Sequence, residues 1–245
     1  MDLKTFWADS RGKVIAVLCA LWVASLINHF QWQFVLSVIL AVVSIIIFDS
    51  FLLWLKIKNF SISLSSIVTG LLIGLVFDPM AGFIPLVVAS LFASVSKNFI
   101  GKGPHKHIFN PAAFGILISS MIFGWPVAWW GASWGMIPVV IIAVGMLPIL
   151  WKLRRQWIPV TFLIIYYFLS RSISLTIDGT VFLFGFVMLP EVKTSPIPGS
   201  WWWGWGILVG ALIFVQNLLG LAVGDPLLLA LLAANLAGYF LVRQS

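Results

Sequence analysis

Hydrophobic runs follow one another along the chain with only short polar breaks, at 14–31, 33–55, 62–77, 82–97, 111–124, 133–151, 157–170, 179–189, 203–221 and 226–242. A repeat of roughly 20 to 25 residues suits helices that cross about 30 Å of hydrocarbon, and it leaves no room for a soluble domain. The pattern therefore predicts an all-α polytopic membrane protein of about ten helices, a single integral membrane domain over 1–245. The runs 62–77, 111–124 and 179–189 are too short to cross unaided, rising only ~16 to 24 Å as helices. They are expected as half-helices or re-entrant pieces.

The chain also repeats itself. "SISLSSIVTGLLIGLVFDP" at 61–79 and "SISLTIDGTVFLFGFVMLP" at 172–190 align without gaps, with nine identities in nineteen that include Ser61/Ser172, Thr69/Thr180, Gly74/Gly185 and Pro79/Pro190. Further on, each copy has an acid or amide followed by proline, Asn110-Pro111 and Asp225-Pro226, opening an apolar run. This is the mark of a duplicated five-segment unit, about 14–124 and 133–242. An odd number of crossings turns the second copy over, so two inverted repeats are expected, related by a pseudo-two-fold axis in the membrane plane. Their broken helices should face each other, placing a site between the third, fifth, eighth and tenth segments.

Composition agrees, with 62% apolar residues, 9% charged and 14 Trp. Alternating the connections between two sides puts thirteen of the fourteen Lys and Arg residues on one side, leaving only Arg171 opposite. By the positive-inside rule both termini are then cytoplasmic, in a cell membrane, and so is the "GKGPHKHIF" loop. Because the basic residues sit singly in short loops, lipid rather than nucleic acid is the expected partner. Cys19 is the sole cysteine, which excludes iron–sulfur and haem-thiolate chemistry. The apolar run that contains it ends in "INHF" without small residues, so it is expected to stay as a helix and not to be cleaved. There is no phosphate loop, dinucleotide fingerprint, zinc-protease motif or nucleophile elbow in a workable place, so no hydrolytic or ATP-driven reading survives.

Few side chains are left to carry chemistry. Asn110 is suited to an N-cap, with Pro111 as the first helical residue; the alternative is that it presents donors to a ring edge or an anion. Asp225 has the same two readings at the opposite face. Asp49 lies well inside an apolar run, where a charge costs about 2.5 kcal/mol or more unless it faces the bundle interior. Asp49, Thr69 and Asp225 form a candidate ion or solute path. Asn110, Pro111 and Thr180 form a candidate cofactor-binding set. Asp78, Asp178 and Glu191 read as boundary residues, and His29 as solvated. His105 and His107 lack a carboxylate or thiol nearby and make a poor metal site, so lipid headgroups are their expected contact and no metal is assigned. The "WPVAWWGASW" and "SWWWGW" tracts read as interfacial belts, with stacking on a planar ligand as the alternative.

"FNPAAFGILI" (109–118), "SLSSIVTGLLIGLVF" (63–77), "DGTVFLFGFVML" (178–189) and "GDPLLLALLAANL" (224–236) resemble a known family. It comprises the membrane B subunit of the sodium-translocating NADH:quinone oxidoreductase and the D subunit of the Rnf ferredoxin:NAD oxidoreductase complex. The resemblance implies a urea-transporter-like inverted-repeat fold, other membrane subunits of a redox complex as partners, bound flavins and ion pumping. It also implies an FMN esterified to a threonine after the fifth helix, where this chain has "FGWPVAWWGASWGM" without threonine, so no covalent FMN is expected. What carries over is a non-covalent riboflavin or FMN beside Asn110 and Pro111, behind aromatic walls. The leading expectation is a membrane subunit of a redox-linked, ion-translocating complex that at most relays electrons. The competing expectations are a small-solute channel or transporter without a redox cofactor, and a purely structural anchor.

Overall fold

A computed structural model of the chain describes residues 3–58, 60, 62–101, 107–195, 202–221 and 223–243. The described residues are helical apart from connections and a single bridge between Phe77 and Val127. A short helix, α1 (Leu3–Ala8), precedes α2 (Ser10–Asn28) and α3 (Trp32–Ile57); then come α4 (Leu64–Val76), α5 (Phe83–Phe99) and α6 (Pro111–Phe123). The second half holds α7 (Met136–Lys152), α8 (Trp157–Ser170), α9 (Ile173–Thr176), α10 (Gly179–Leu183) with a π-helical continuation (Phe184–Met188), α11 (Trp202–Leu218) and α12 (Pro226–Arg243). Each of the ten hydrophobic runs is a helix. By length and composition, Ser10–Asn28 and Trp32–Lys56 are long and apolar enough to cross a membrane.

The outer surface is apolar, with Ile27 82%, Val144 70% and Phe168 67% exposed. In water such a surface would be an aggregation hazard, and in lipid it is the ordinary outside of a helical bundle. The chain is accordingly a helical membrane protein. Its core holds the short segments: α4 and the α10–π segment are buried over most of their length. Around them α3 packs on α4 and α5, and α5 on α6; in the second half α8 packs on α11 and the π segment, and α11 on α12. The two groups meet where α2 packs on α7 and α6 on α12.

Small residues permit the tight crossings. A Cβ on Gly115 would lie 2.1 Å from the carbonyl oxygen of Ala89, so α5 and α6 approach backbone to backbone only because that position is glycine. The repeated segments are not identical in form. Residues 64–76 make one helix capped by Ser63, whose Oγ accepts from Ser66 N at 3.1 Å. The second copy breaks at Ile177–Asp178, and Asp178 restarts the helix by accepting from Thr180 N at 2.8 Å. Ser61, the partner of Ser172 in the repeat, lies outside the described residues.

Candidate functional site

Asn110 starts α6 as its N-cap, its Oδ1 accepting from Ala113 N at 3.0 Å with Pro111 as the first helical residue. Its other atoms reach into the second half. Nδ2 donates to Glu191 Oε2 at 2.8 Å and to Met188 O at 3.3 Å, and the backbone N–H donates to Asn235 Oδ1 at 2.9 Å. Glu191 Oε2 also accepts from Thr194 Oγ1 at 3.0 Å, and Asn235 Nδ2 donates to Thr194 O at 2.8 Å. The buried Arg155 holds the same loop: Nη1 donates to Ser195 O at 3.1 Å, to the carbonyls of Pro190 and Glu191, and to the Ser195 hydroxyl. Glu191, read from sequence as a boundary residue, is the carboxylate through which the start of α6 is tied to the end of the π segment.

Asp225 starts α12 in the same way. Oδ1 accepts from Leu228 N at 2.9 Å, and Oδ2 accepts from the indole of Trp129 at 2.8 Å. Trp129 N in turn donates to Val76 O at 2.9 Å, at the end of α4. Each cap thus meets the end of the short segment of the other half, α12 doing so through Trp129. α6 and α12 run antiparallel: Asn110 meets Asn235 deep in α12, while Gly224, just before α12, lies against Leu117 in α6.

Of the tryptophan tract only Trp125 is exposed as a belt residue would be; the others turn inward to varying degrees. Trp129 is buried; Trp130 stacks on Phe34 with centroids 4.4 Å apart and donates to Gly74 O at 2.7 Å; Trp134 donates to Ser25 Oγ at 2.9 Å. The physical reason is the early end of α4, which leaves carbonyls at Gly74, Leu75 and Val76 that would otherwise lack donors in hydrocarbon. Residues 128–131 supply those donors. Replacing Trp129 by Phe is expected to destabilise the fold by about 1–3 kcal/mol through the partner lost from Asp225, measured as unfolding in detergent. In the second tract Trp205 is also internal, donating to Leu189 O at 3.2 Å.

Asp49 is buried and paired. It forms an ion pair with Lys97, accepts from Ser66 Oγ at 2.5 Å and from Asn98 Nδ2 at 3.1 Å, and Lys97 also donates to Ser63 and Ser66. His107 is not at a headgroup surface: it is buried, Nδ1 donating to Lys97 O at 2.8 Å, with Lys193 Nζ 3.3 Å from Nε2. Burial, and then the charge of Lys193, lower its pKa to about 4, which keeps the ring neutral. His105, Lys102 and Lys106 lie outside the described residues. Among the described residues no cluster of His, Cys, Asp or Glu has the makings of a metal site.

A cavity of about 480 Å³ opens beside the Asn110–Glu191 contact. Its walls are aliphatic, from Val14, Val68, Leu72, Met146, Ile149 and Val187, and its polar groups include Ser65, Thr69, Glu191 and Lys193. Asp9 and Arg11 line it from the start of α2, with Nη2 of Arg11 2.9 Å from Asp9 Oδ2, a contact that holds the Asp9 carboxyl below its ordinary range. Thr69, Asn110 and Pro111 line this space, whereas Asp49, Thr180 and Asp225 lie elsewhere. The remaining walls come from α2 and α7 instead of α12, and none of the lining residues is aromatic, so the expected aromatic walls are absent from this cavity.

No family model matches the chain. Over 100 residues it is 35% identical to the D subunit of the ion-translocating oxidoreductase complex of Shewanella sediminis (strain HAW-EB3). That stretch covers 39% of this chain and 29% of the relative, so the match spans less than a third of that protein's length.

Proposed function

We propose that the chain is an integral membrane subunit of a redox-linked, ion-translocating complex. The observation that carries this reading is the 35% identity to a subunit of an ion-translocating oxidoreductase complex, in a chain whose helices present an apolar outer surface. Other membrane subunits would be its partners, and the basic loops would face the cytoplasm with both termini. The antiparallel α6 and α12, each capped against the other half, support a pair of inverted five-helix repeats.

The cavity is the candidate ligand site. Its volume lies within the range of ~300–1,000 Å³ usual for small-molecule pockets, and largely aliphatic walls with a few polar groups suit a planar heterocycle held without a covalent bond. A riboflavin or FMN ring fits that description, and when bound it would supply an electron relay. The residues of the chain would do the rest: Val68, Leu72, Met146 and Ile149 exclude water, and Asn110 holds Glu191 in the wall. The aliphatic lining also suits a second reading, a path for a small uncharged solute. Absorbance of the purified protein separates the two. The redox reading predicts flavin bands near about 450 nm. A colourless protein that moves solute across liposomes would overturn it.

A further inference from the structure

Asn110 spends its side-chain amide inside the protein. Both faces of that amide are engaged within the protein, Oδ1 by Ala113 N and Nδ2 by Glu191 and Met188. Glu191 is different. Its Oε2 accepts from Asn110 and Thr194, which sets the plane of the carboxylate, while Oε1 accepts no hydrogen bond among the described residues. The residue is half-buried and lines the cavity. A carboxylate oxygen that is oriented by two donors and left without a partner beside a largely aliphatic space is a built acceptor.

We propose that Glu191 Oε1 is the recognition atom of the cavity and that it selects neutral ligands presenting an amide, imide or urea N–H. Burial pushes the Glu191 carboxyl above its ordinary range, against the Thr194 hydrogen bond and the charges of Lys193, Lys97 and Arg155, and both the burial and those three cations favour a neutral donor over a cation. Adding a free cation beside them would be opposed by like charge, whereas an N–H dipole is not. The aliphatic walls suit the uncharged remainder of such a ligand. Asn110 and Thr194 are positioning residues on this account, acting through Glu191. The inference goes beyond the redox reading, since a flavin ring edge and a small urea-like solute both offer the required group.

Dicyclohexylcarbodiimide, which is apolar and reacts with carboxyl groups in apolar surroundings, tests this on the full chain in membranes, with modification read by mass spectrometry. Two ligand pairs serve as protectants: riboflavin against 3-methylriboflavin, and urea against tetramethylurea at non-denaturing concentrations. Glu191 should be modified, and the N–H member of at least one pair should slow modification on the order of tenfold while its methylated partner does not. Protection by riboflavin supports both this inference and the redox reading. Protection by urea alone supports this inference and counts against a flavin. Failure to modify Glu191, or equal protection by both members of each pair, overturns the inference, and a flavin that still copurifies would then leave the redox reading standing. In flavin titrations, Glu191→Gln should bind the two flavins equally; unchanged discrimination would also overturn it.

Discussion

Replacing Lys97 by Ala is expected to lower the unfolding free energy by about 3–5 kcal/mol, the largest effect of any single side chain considered. The pair it forms with Asp49 has side-chain exposures of 10% and 7%, so removing the ammonium leaves a buried carboxylate held only by Ser66 and Asn98, with its ion-pair partner gone. The cost arises from that uncompensated charge more than from the attraction lost. For this reason the pair of changes Lys97→Ala and Asp49→Asn should lie closer to the native protein than Lys97→Ala alone, since the neutral amide introduced at position 49 still accepts from a neighbour. Unfolding in detergent across this cycle reads the effect, and additivity of the single changes would argue that Lys97 and Asp49 do not act as a unit.

The second large effect is expected at Arg155. Its guanidinium is buried, and through Nη1 it gathers the carbonyls of Pro190, Glu191 and Ser195 with the Ser195 hydroxyl. Hydrogen bonds from a charged donor contribute about 1.5–3 kcal/mol each and are not additive, so Arg155→Met should cost about 3 kcal/mol overall. Methionine keeps much of the volume, which limits the cavity left behind. The loop of Glu191 should loosen at the same time. Faster hydrogen exchange at residues 191–195, with α2 and α3 unchanged, is the expected pattern, and a uniform loss of protection would point to global destabilisation instead.

Much of this architecture is legible from sequence because hydrocarbon imposes simple rules. The apolar runs become helices close to their predicted ends, and Asn-Pro and Asp-Pro each become a cap followed by the first helical residue, because both read out local backbone needs. What stays hidden depends on contacts across long separations. Nothing near Asp49 in the chain announces Lys97, 48 residues away, and a lysine next to a polar loop looks like a solvated one. Glu191 follows a proline at a segment end, the usual place for a boundary charge, and only its approach to Asn110, 81 residues back, makes it central. The tryptophans mislead for a related reason. Indoles do favour interfaces, but a helix that stops early needs donors, and an indole N–H is among the few that an apolar chain can bring inside. A short predicted segment followed by clustered Trp is the signal that exposes this.

With inverted repeats, the two halves enter the membrane from opposite surfaces, which would set Asn110 and Asp225 at opposed ends of a shared interior. Single cysteines at the exposed positions Val192 and Val223, in a background with Cys19 replaced by Ser, allow a direct measurement with a membrane-impermeant maleimide on sealed, right-side-out vesicles. The prediction is that Cys at 223 reacts in intact vesicles and Cys at 192 reacts only after they are opened. Reaction of both from the same surface would contradict it.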